Sequence, residues 1–391
     1  MISVVIPVYN GAAHLSEVLD AVTGRQLDEP FEVLVIDSGS TDGSLEIVRS
    51  FPRVRLLEIP NEQFGHGRTR NLGVRETTGD LIAFLTQDAT PASPHWLAAY
   101  RRAFALDQAV GAAFGPHLPR PGVNPLMARL LIEHFESFSP DGEPAIQHAG
   151  DSGYLSNSNS CVARAAWTRS PFREIPYAED QAFGADVLAN GFSKVYMPDA
   201  AVWHSHDYGM LETFKRYFDE YRGLNDSVGE QTDASAAKAL GVVSSSVAAD
   251  LRFLEQLGQP PLRRAAWGVR SAIYHTGRVG FGGLGARANR MPATLRAALS
   301  FEGRSDGVAT HVDAAGEYVF EDVGAVERDG AVPLAPALKN PGEPLHVAWI
   351  IPPFSVGGGG HTTIFRMVRA LERSGHRCSL WVHDPHKLES K

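Results

Sequence analysis

Cysteine is scarce in this chain, because only two of its 391 residues are cysteines. Cys161 and Cys378 lie far apart in the sequence, so no disulfide framework is indicated and a reducing compartment is expected. An excess of basic residues is missing too, since the formal net charge is −9. That balance is not typical of proteins that bind nucleic acid, and we expect no nucleic-acid partner.

Long apolar runs are also absent. No uninterrupted apolar stretch reaches the roughly 20 residues that a helix needs to span a bilayer. The segment from Met1 to Pro7 lacks the charged region that opens a signal peptide. We therefore expect a cytoplasmic protein, and peripheral contact with the inner face of the cytoplasmic membrane stays open.

The first part of the chain alternates strand and helix patterns. Four segments predict strands, of which the first is β-branched and apolar and the first two are expected to be buried, and helical patterns separate them. The predicted strands are residues 2–8, 31–36, 54–59 and 80–85. The predicted helices are residues 14–22, 44–50 and 69–77. This order predicts an α/β fold around a mainly parallel central sheet.

The pattern beyond residue 90 is less regular and then becomes helical. Helices are predicted at residues 96–106 and 181–190, and from residue 211 to about residue 300. Short strands are predicted at residues 157–164, 194–197 and 200–204. The C-terminal segment begins with a strand at 346–351, continues with glycines 357–360 and a helix at 362–374, and ends with a strand at 377–382.

Charge composition divides the second half of the chain. Residues 262–300 contain seven arginines and no acid, whereas residues 301–344 contain nine acids and three Lys or Arg. We predict four segments. They are a main domain over residues 1–225, a helical, arginine-rich extension over 226–300, an acidic linker over 301–344 and the start of another α/β domain over 345–391.

Acidic residues recur where the predicted parallel strands end, which is the edge at which such sheets bind ligands. Asp37 and Asp42 follow the second strand, and Asp88 follows the fourth. A carboxylate there can accept hydrogen bonds from a nucleoside, whereas Asp88 is also suited to hold a divalent cation on a diphosphate. Ordinary turn and helix-cap chemistry is the alternative for each of these acids.

Two further groups carry candidate chemistry. Glu179 and Asp180 precede a predicted helix, where they are either a helix cap or the source of a catalytic base. His204 and His206 lie two residues apart on a predicted strand, so both side chains are expected to face one site and to bind a metal ion.

The motifs Val5-Ile6-Pro7-Val8-Tyr9-Asn10, Ile36 to Gly43 and Gly79 to Leu85 resemble glycosyltransferase family 2 over about residues 1–225. The resemblance implies the GT-A fold, with its Rossmann-like sheet. Further motifs, at residues 64–71, 86–91, 175–181 and 204–208, resemble the bacterial rhamnosyltransferase branch. Those enzymes use dTDP-L-rhamnose and build cell-surface polysaccharides such as O-antigen.

The resemblance also implies roles for individual residues. Asp37 would contact the base, Pro7 and Tyr9 would line its pocket, and Arg70 would lie near the base or the diphosphate. Asp88 and His204, with His206 as the alternative, would bind Mg²⁺ or Mn²⁺. Asp180 would be the catalytic base, supported by Glu179, and Asn157 and Asn159 would contact the donor sugar or the acceptor. Thr86 stands where the family has the first acid of its Asp-x-Asp motif, so this metal site has one carboxylate fewer.

A second resemblance covers the C-terminal segment. Ala348 to Phe354, the glycines at 357–360 and His361 to Phe365 resemble the start of a GT-B transferase of a rhamnan-synthesis type. We expect this segment to be part of a longer second enzyme or a remnant of one. The arginine-rich stretch 262–300 suits either an anionic membrane and a lipid-linked acceptor or a solvated helical face.

The sequence thus predicts an inverting transferase that moves L-rhamnose from dTDP-L-rhamnose to a hydroxyl of a glycan or lipid-linked glycan. Three alternatives stay open. They are the same chemistry with a UDP-hexose or UDP-N-acetylhexosamine donor, a non-catalytic scaffold of a glycan synthase, and metal-dependent hydrolysis at residues 204–207.

Overall fold

The computed structural model describes residues 1–24, 30–175, 178–228, 236–301, 346–351, 368 and 377–382. The chain divides into two compact units, residues 1–309 and residues 310–391. The first unit contains the candidate site.

Four parallel strands form one half of an eight-stranded sheet. They are β1 (Ile2–Val8), β2 (Phe31–Asp37), β3 (Val54–Glu58) and β4 (Leu81–Leu85), in the spatial order β3-β2-β1-β4. Helices α1 (Ala12–Thr23), α2 (Ser44–Arg49) and α3 (His66–Arg75) connect them. Every one of these elements was predicted from the sequence, with ends that differ by a few residues.

The strands of this half alternate their apolar side chains between two cores, one on each face of the sheet. Val4 and Ile6 of β1 pack into one core, and Val5 packs into the other. Because both faces of β1, β2 and β4 are covered, apolar residues form continuous runs in these strands, whereas the edge strand β3 carries exposed Arg55 and Glu58.

The other half of the sheet is mixed. Beyond β4 come β9 (Asn159–Ala163), β6 (Val110–Phe114), β10 (Ser193–Tyr196) and β8 (Ala145–Gln147). Strand β9 runs antiparallel to β4 and β6, while β10 is parallel to β6 and antiparallel to β8. Strand β6 was not predicted, because its sequence Val-Gly-Ala-Ala-Phe is poor in β-branched residues. Gly111 is needed there, since a Cβ would lie 2.8 Å from Phe192 Cβ.

A second, smaller sheet has three strands, the first of which follows β4 in the chain. It contains β5 (Thr90–Pro91), β7 (His117–Leu118) and β11 (Val202–Trp203), in the order β5-β11-β7. The strand predicted over residues 200–204 is found as β11, with ends that differ by one or two residues, and the His204 N–H still donates to the Leu118 carbonyl oxygen at 3.0 Å. His206 lies beyond this pairing, so strand alternation does not orient both histidines.

Helices complete the first unit. Those of the main domain are α4 (Trp96–Ala103), α5 (Pro125–Glu136), α6 (Arg164–Arg169) and α7 (Glu179–Ala189). Those of the extension are α8 (Met210–Val228), α9 (Ala236–Gln256), α10 (Pro261–Gly285) and α11 (Ala293–Leu299). Among the described residues, no helix is both long enough and apolar enough to cross a membrane.

The predicted boundary between residues 225 and 226 falls inside α8, and it separates no compact units. The extension packs on the main domain, and Arg129 of α5 donates a buried hydrogen bond to Asp250 of α9. The division into a main domain and an extension is therefore one of composition rather than of packing.

Two parallel strands are described in the second unit. They are β12 (His346–Ile351) and β13 (Arg377–Val382), with the residue ranges that the sequence predicted. The predicted linker, the glycines at 357–360 and the predicted helix over 362–374 lie outside the described residues, apart from Phe301 and Val368.

Candidate active site

Asp37 lies buried at the carboxyl end of β2, where the following loop surrounds its carboxylate. Its Oδ1 accepts the backbone N–H groups of Gly39 and Ser40, each at 2.9 Å, and its Oδ2 accepts the Ser40 hydroxyl at 2.5 Å. Gly39 has a φ of 90°, which favours glycine. This loop holds the Asp37 carboxylate in one orientation at the edge of the sheet.

Tyr9 and half-buried Pro7 lie at the end of β1, and the Tyr9 side chain is 49% exposed. The Gln87 amide fixes the Tyr9 backbone. It accepts the Tyr9 N–H at 2.8 Å and donates to the Tyr9 carbonyl oxygen at 3.0 Å. A Cβ at Gly11 would lie 2.6 Å from Gln87 Oε1, so this contact requires a glycine. The loops after β1 and β4 are thereby joined, with an aromatic ring left accessible.

Asp42 accepts hydrogen bonds from the first residues of two helices. It accepts the Ala12 N–H at 3.0 Å and the Ser44 hydroxyl at 2.6 Å, at the starts of α1 and α2. These contacts correspond to the capping interpretation that the sequence left open.

Three side chains converge directly after β4 and β11. The Asp88 carboxylate lies 3.4 Å from His204 Nε2 and 3.7 Å from His206 Nε2. One potential ligand atom from each residue lies within 4.8 Å of the other two. Within the described ranges this is the sole group of His, Cys, Asp or Glu side chains that suits a metal ion. Its one carboxylate and two imidazoles fit a divalent metal that accepts nitrogen ligands.

The protonation states of this cluster suit metal binding. Burial by itself would raise the pKa of Asp88, but the hydrogen bond and charge of His204 outweigh it and hold that pKa below its ordinary value. Burial and the neighbouring His204 lower the pKa of His206 to about 4. Asp88 is therefore ionised and His206 neutral near neutral pH, which is the state in which each binds a metal.

Arg120 and Ser205 form hydrogen bonds that hold the backbone next to the cluster. Arg120 Nη2 donates to the Asp88 carbonyl oxygen at 2.9 Å and to the Thr90 hydroxyl at 2.8 Å. The Ser205 hydroxyl accepts the Arg120 backbone N–H at 2.9 Å. Arg120 also pairs with Glu17 of α1 at 3.0 Å. One arginine thus links the Asp88 loop to the segment that carries both histidines.

His117 of β7 contacts the cluster of Asp88, His204 and His206 through His204. The two Nδ1 atoms lie 3.3 Å apart, so one of the rings must donate a proton to the other. Burial lowers the pKa of His117 well below its ordinary value, which keeps this ring neutral. With the shared proton on His204 Nδ1, the His204 Nε2 would be free to bind a metal.

Glu179 and Asp180 have different environments at the start of α7. Buried Glu179 pairs with Arg70 at 2.7 Å. Asp180 is half-buried and accepts the backbone N–H of Asn157 at 3.1 Å and that of Gln181 at 2.8 Å. Burial and the charge of Glu179 raise the pKa of Asp180 to about 7, although Arg70 opposes this shift. A carboxylate with such a pKa suits general base catalysis.

Asp180 belongs to the same edge of the sheet as the other candidates. Its partner Asn157 comes two residues before the start of β9, and Asn159 pairs with Leu85, the last residue of β4. Asp88 follows β4 three residues later. The structure therefore brings Asp37, Asp88 and Asp180 to one edge of the sheet.

Arg70 and the two asparagines are occupied by protein partners. Arg70 is 6% exposed, and it donates to Glu179 and to the His66 carbonyl oxygen. Asn157 is fully buried between Glu179 and Ser160. These two residues orient the pair of acids at the start of α7.

The predicted contact of Asn159 with the donor sugar or the acceptor requires a correction. Its buried Oδ1 accepts from Trp96 Nε1 at 2.9 Å and from the Tyr100 hydroxyl at 2.7 Å, and its Nδ2 donates to the Ala200 carbonyl oxygen at 2.7 Å. Since Asn159 is 0% exposed, it is a core residue and does not contact a sugar in this structure.

Comparison with known proteins defines the fold and the family of this chain. In fold the chain is similar to a mannosyltransferase of Pyrobaculum calidifontis solved in complex with GDP-Man and Mn²⁺, with a TM-score of 0.51 and 20% identity over 74% of this chain and 86% of that one. The protein has the GT-A glycosyltransferase fold, as the sequence predicted.

Residues 3–156 match the family described as Glycosyl transferase family 2. The chain is 33% identical to an O-antigen chain rhamnosyltransferase of Salmonella typhimurium and 31% identical to one of Salmonella anatum. Each match covers 56% of this chain and 70% of the relative. The chain belongs to glycosyltransferase family 2, and the predictions of its family and of enzymatic activity are confirmed.

Proposed function

We propose that this glycosyltransferase moves L-rhamnose from dTDP-L-rhamnose, with inversion, to a hydroxyl of a cell-surface polysaccharide precursor. The observation that carries the proposal is the arrangement at one edge of the sheet. Asp180, with its raised pKa, lies at the edge that also bears the cluster of Asp88, His204 and His206. The choice of rhamnose is supported by the similarity to two O-antigen chain rhamnosyltransferases.

The donor nucleotide would bind across the loops after β1 and β2. Exposed Tyr9 offers a ring for stacking on the base, with Pro7 beside it, and Asp37 lies at the same edge to accept a base or ribose hydrogen. Arg70, which the resemblance implies near the base or diphosphate, would act indirectly by holding Glu179.

Asp88, His204 and His206 would hold the divalent cation. A cation bound there supplies positive charge that stabilises the departing diphosphate. Because two of the three ligands are imidazole nitrogens, Mn²⁺ suits the site better than Mg²⁺, which prefers oxygen ligands.

Asp180 would accept the proton of the acceptor hydroxyl as its oxygen attacks the anomeric carbon. Its hydrogen bonds to the backbone of Asn157 and Gln181 fix the carboxylate, and Glu179 supports it through the Arg70 pair. Inversion at a β-linked donor gives an α-rhamnoside.

The acceptor in this proposal is a glycan or a lipid-linked glycan. An acceptor of the second kind is carried by a bilayer, so the enzyme would work in the cytoplasm at the inner face of the cytoplasmic membrane. No nucleic-acid partner is part of the proposal.

Thermal unfolding with nucleotides tests the proposal first. A ligand that binds only the folded state raises stability by about 2.7 kcal/mol at a hundredfold excess over its dissociation constant. We expect stabilisation by dTDP that requires Mn²⁺ and is lost in Asp88→Asn. Leu106→Ala, an exposed position outside the site, is the control and should respond like the wild type.

Each other outcome points to a different function. Greater stabilisation by UDP would favour a UDP-hexose or UDP-N-acetylhexosamine donor, and no response to either nucleotide would favour a scaffold. Sugar release from dTDP-rhamnose that is faster without acceptor than transfer with acceptor would favour hydrolysis. Full transfer activity in Asp180→Asn would contradict the assigned base.

A further inference from the structure

Helix α10 exposes a stripe of mainly apolar and small residues, which Thr276 interrupts. With 3.6 residues per turn, residues 262, 266, 269, 273, 280 and 284 fall on one side of the helix. The side chains of Leu262, Val269, Ile273 and Leu284 are 88%, 64%, 52% and 39% exposed. Ala266 and Gly280 complete the stripe and are also exposed. We call these six residues the α10 face.

The opposite side of α10 is the one that packs against the protein. Ser271, Tyr274 and His275 are buried there, and the Tyr274 hydroxyl lies 3.3 Å from that of Tyr217 on α8. A Cβ at Gly285 would lie 2.2 Å from the Phe218 carbonyl oxygen, so α8 approaches closely. One side of the helix is therefore buried against the protein, and the α10 face is exposed.

The charges of α10 are of one sign. The helix contains four arginines and no Asp or Glu. Exposed Arg263 and Arg270 flank the α10 face at about 100° and 80° around the helix from Leu262. The Arg270 guanidinium lies 5.4 Å from the centre of the Trp267 ring. Arg264, by contrast, pairs with Glu255 of α9 at 2.7 Å.

We propose that the α10 face binds the surface of a bilayer that contains anionic lipids. Its apolar side chains would enter the boundary between headgroups and acyl chains, and Arg263 and Arg270 would remain at the level of the lipid phosphates. The location is distinctive because the whole chain has a net charge of −9 whereas residues 262–300 have seven arginines and no acid. An anionic surface attracts an arginine-rich segment of this kind.

Charge argues against a second copy of the chain as the occupant. A two-fold symmetric contact through the α10 face would bring the same arginine-bearing patch of both copies together, with no acid on α10 to pair with Arg263 and Arg270. Opposed like charges destabilise such a contact, whereas lipid phosphates would neutralise them. The inference rests on the proposed function only in that a lipid-linked acceptor gives membrane binding a purpose.

Cosedimentation with vesicles tests the inference on the full chain. One set of vesicles contains phosphatidylcholine alone and the other equal parts of phosphatidylcholine and phosphatidylglycerol. We expect binding to the anionic vesicles, weaker binding at high salt and little binding to phosphatidylcholine alone. Equal binding to both vesicles, or none to the anionic ones, would overturn the proposal.

Substitutions on α10 locate the surface. Ile273→Glu should lower the vesicle partition coefficient about tenfold, because the isoleucine side chain no longer enters the bilayer and a charge must enter the interface instead. Arg263→Gln and Arg270→Gln should each lower it about fivefold. Leu106→Glu is the matched control, since Leu106 is 44% exposed and belongs to the main domain, and it should bind like the wild type. Wild-type binding by Ile273→Glu would overturn the assignment.

The same samples separate this inference from the proposed function. Stabilisation by dTDP and Mn²⁺ is measured on every variant and should not change, which also shows that each variant is folded. Vesicle binding without any nucleotide response would leave the α10 face standing and remove the donor proposal. Concentration-dependent dimers that Ile273→Glu abolishes, together with no vesicle binding, would assign the face to a second copy instead.

Discussion

At the scale of single residues, the contact between His117 and His204 carries a testable consequence. If His204 donates its Nδ1 proton to His117, the acceptor on His117 fixes the ring that would bind the metal. His117→Leu removes that acceptor, and we expect Mn²⁺ affinity to fall about 10- to 100-fold. His117→Asn, whose side-chain oxygen can replace Nδ1 as acceptor, should recover most of the affinity. Calorimetric titration of each variant with Mn²⁺ measures this, and equal losses in both would contradict the assignment.

The raised pKa of Asp180 predicts how transfer depends on pH. A base must be deprotonated, and burial together with Glu179 raises the pKa of Asp180 to about 7. We expect kcat/KM to rise as pH increases through about 7 and then to level off. His206, with a pKa of about 4, stays neutral across this range and contributes no such change. A profile that is flat through this range, with nucleotide binding also constant, would exclude Asp180 as the titrating base.

Sequence reasoning found the candidate residues that the structure brings to one edge of the sheet and missed the residues that contact them. Asp88, His204 and Asp180 stand in recognisable motifs, whereas Arg120 and His117 do not. Arg120 contacts Asp88, 32 positions away, and His117 contacts His204, 87 positions away. Nothing local in the sequence marks such partners, because strands β5, β7 and β11 bring them together only in the folded chain.

At the scale of elements, α3 depends on close approach to the sheet. A Cβ at Gly73 would lie 2.4 Å from Val5 Cγ1, so Gly73→Ala must displace the helix or the strand. We expect a loss of about 1–3 kcal/mol in the free energy of unfolding. Gly241→Ala in α9 is the matched control, since no atom lies within 4 Å of its Cβ, and it should gain about 0.5–1 kcal/mol. Urea denaturation measures the free energy of unfolding of both variants. A Gly73→Ala variant as stable as the wild type would show that α3 can shift freely.

The elements themselves were predicted unevenly, for a physical reason. Strands β1, β2 and β4 contain runs of buried apolar residues, and all four parallel strands, including the half-buried edge strand β3, were found. Strand β6 and the short strands β5, β7 and β8 lack such a pattern, because they depend on pairing with neighbours distant in the sequence. The same dependence explains why His204 and His206 meet Asp88 from a segment after β11 rather than from a strand.

At the scale of the whole molecule, a buried ion pair joins the extension to the main domain. Arg129 of α5 and Asp250 of α9 are both nearly inaccessible, and the Ser271 hydroxyl donates to Asp250 at 2.5 Å. Asp250→Ala would leave the Arg129 charge buried and poorly paired, and we expect a loss of about 3–5 kcal/mol in the free energy of unfolding.

Glu133→Ala is the control for that prediction. Glu133 also pairs with Arg129, but its side chain is 54% exposed, so its removal should cost at most about 1 kcal/mol. Chemical denaturation of the two variants compares them. Equal, small losses in the free energy of unfolding of Asp250→Ala and Glu133→Ala would mean that the extension is held by its apolar contacts alone.

The sequence by itself determined the parallel half of the sheet, the family and the acids at the carboxyl ends of the strands, because these are written in local patterns of burial and in short motifs. Only the tertiary structure decided which candidates are available for chemistry. Asn159 and Arg70 are occupied by buried partners, whereas Asp88 gains two histidines from more than a hundred residues away. Which side of α10 faces solvent was decided in the same way, since packing in the folded chain buries one side of this helix and leaves the α10 face exposed.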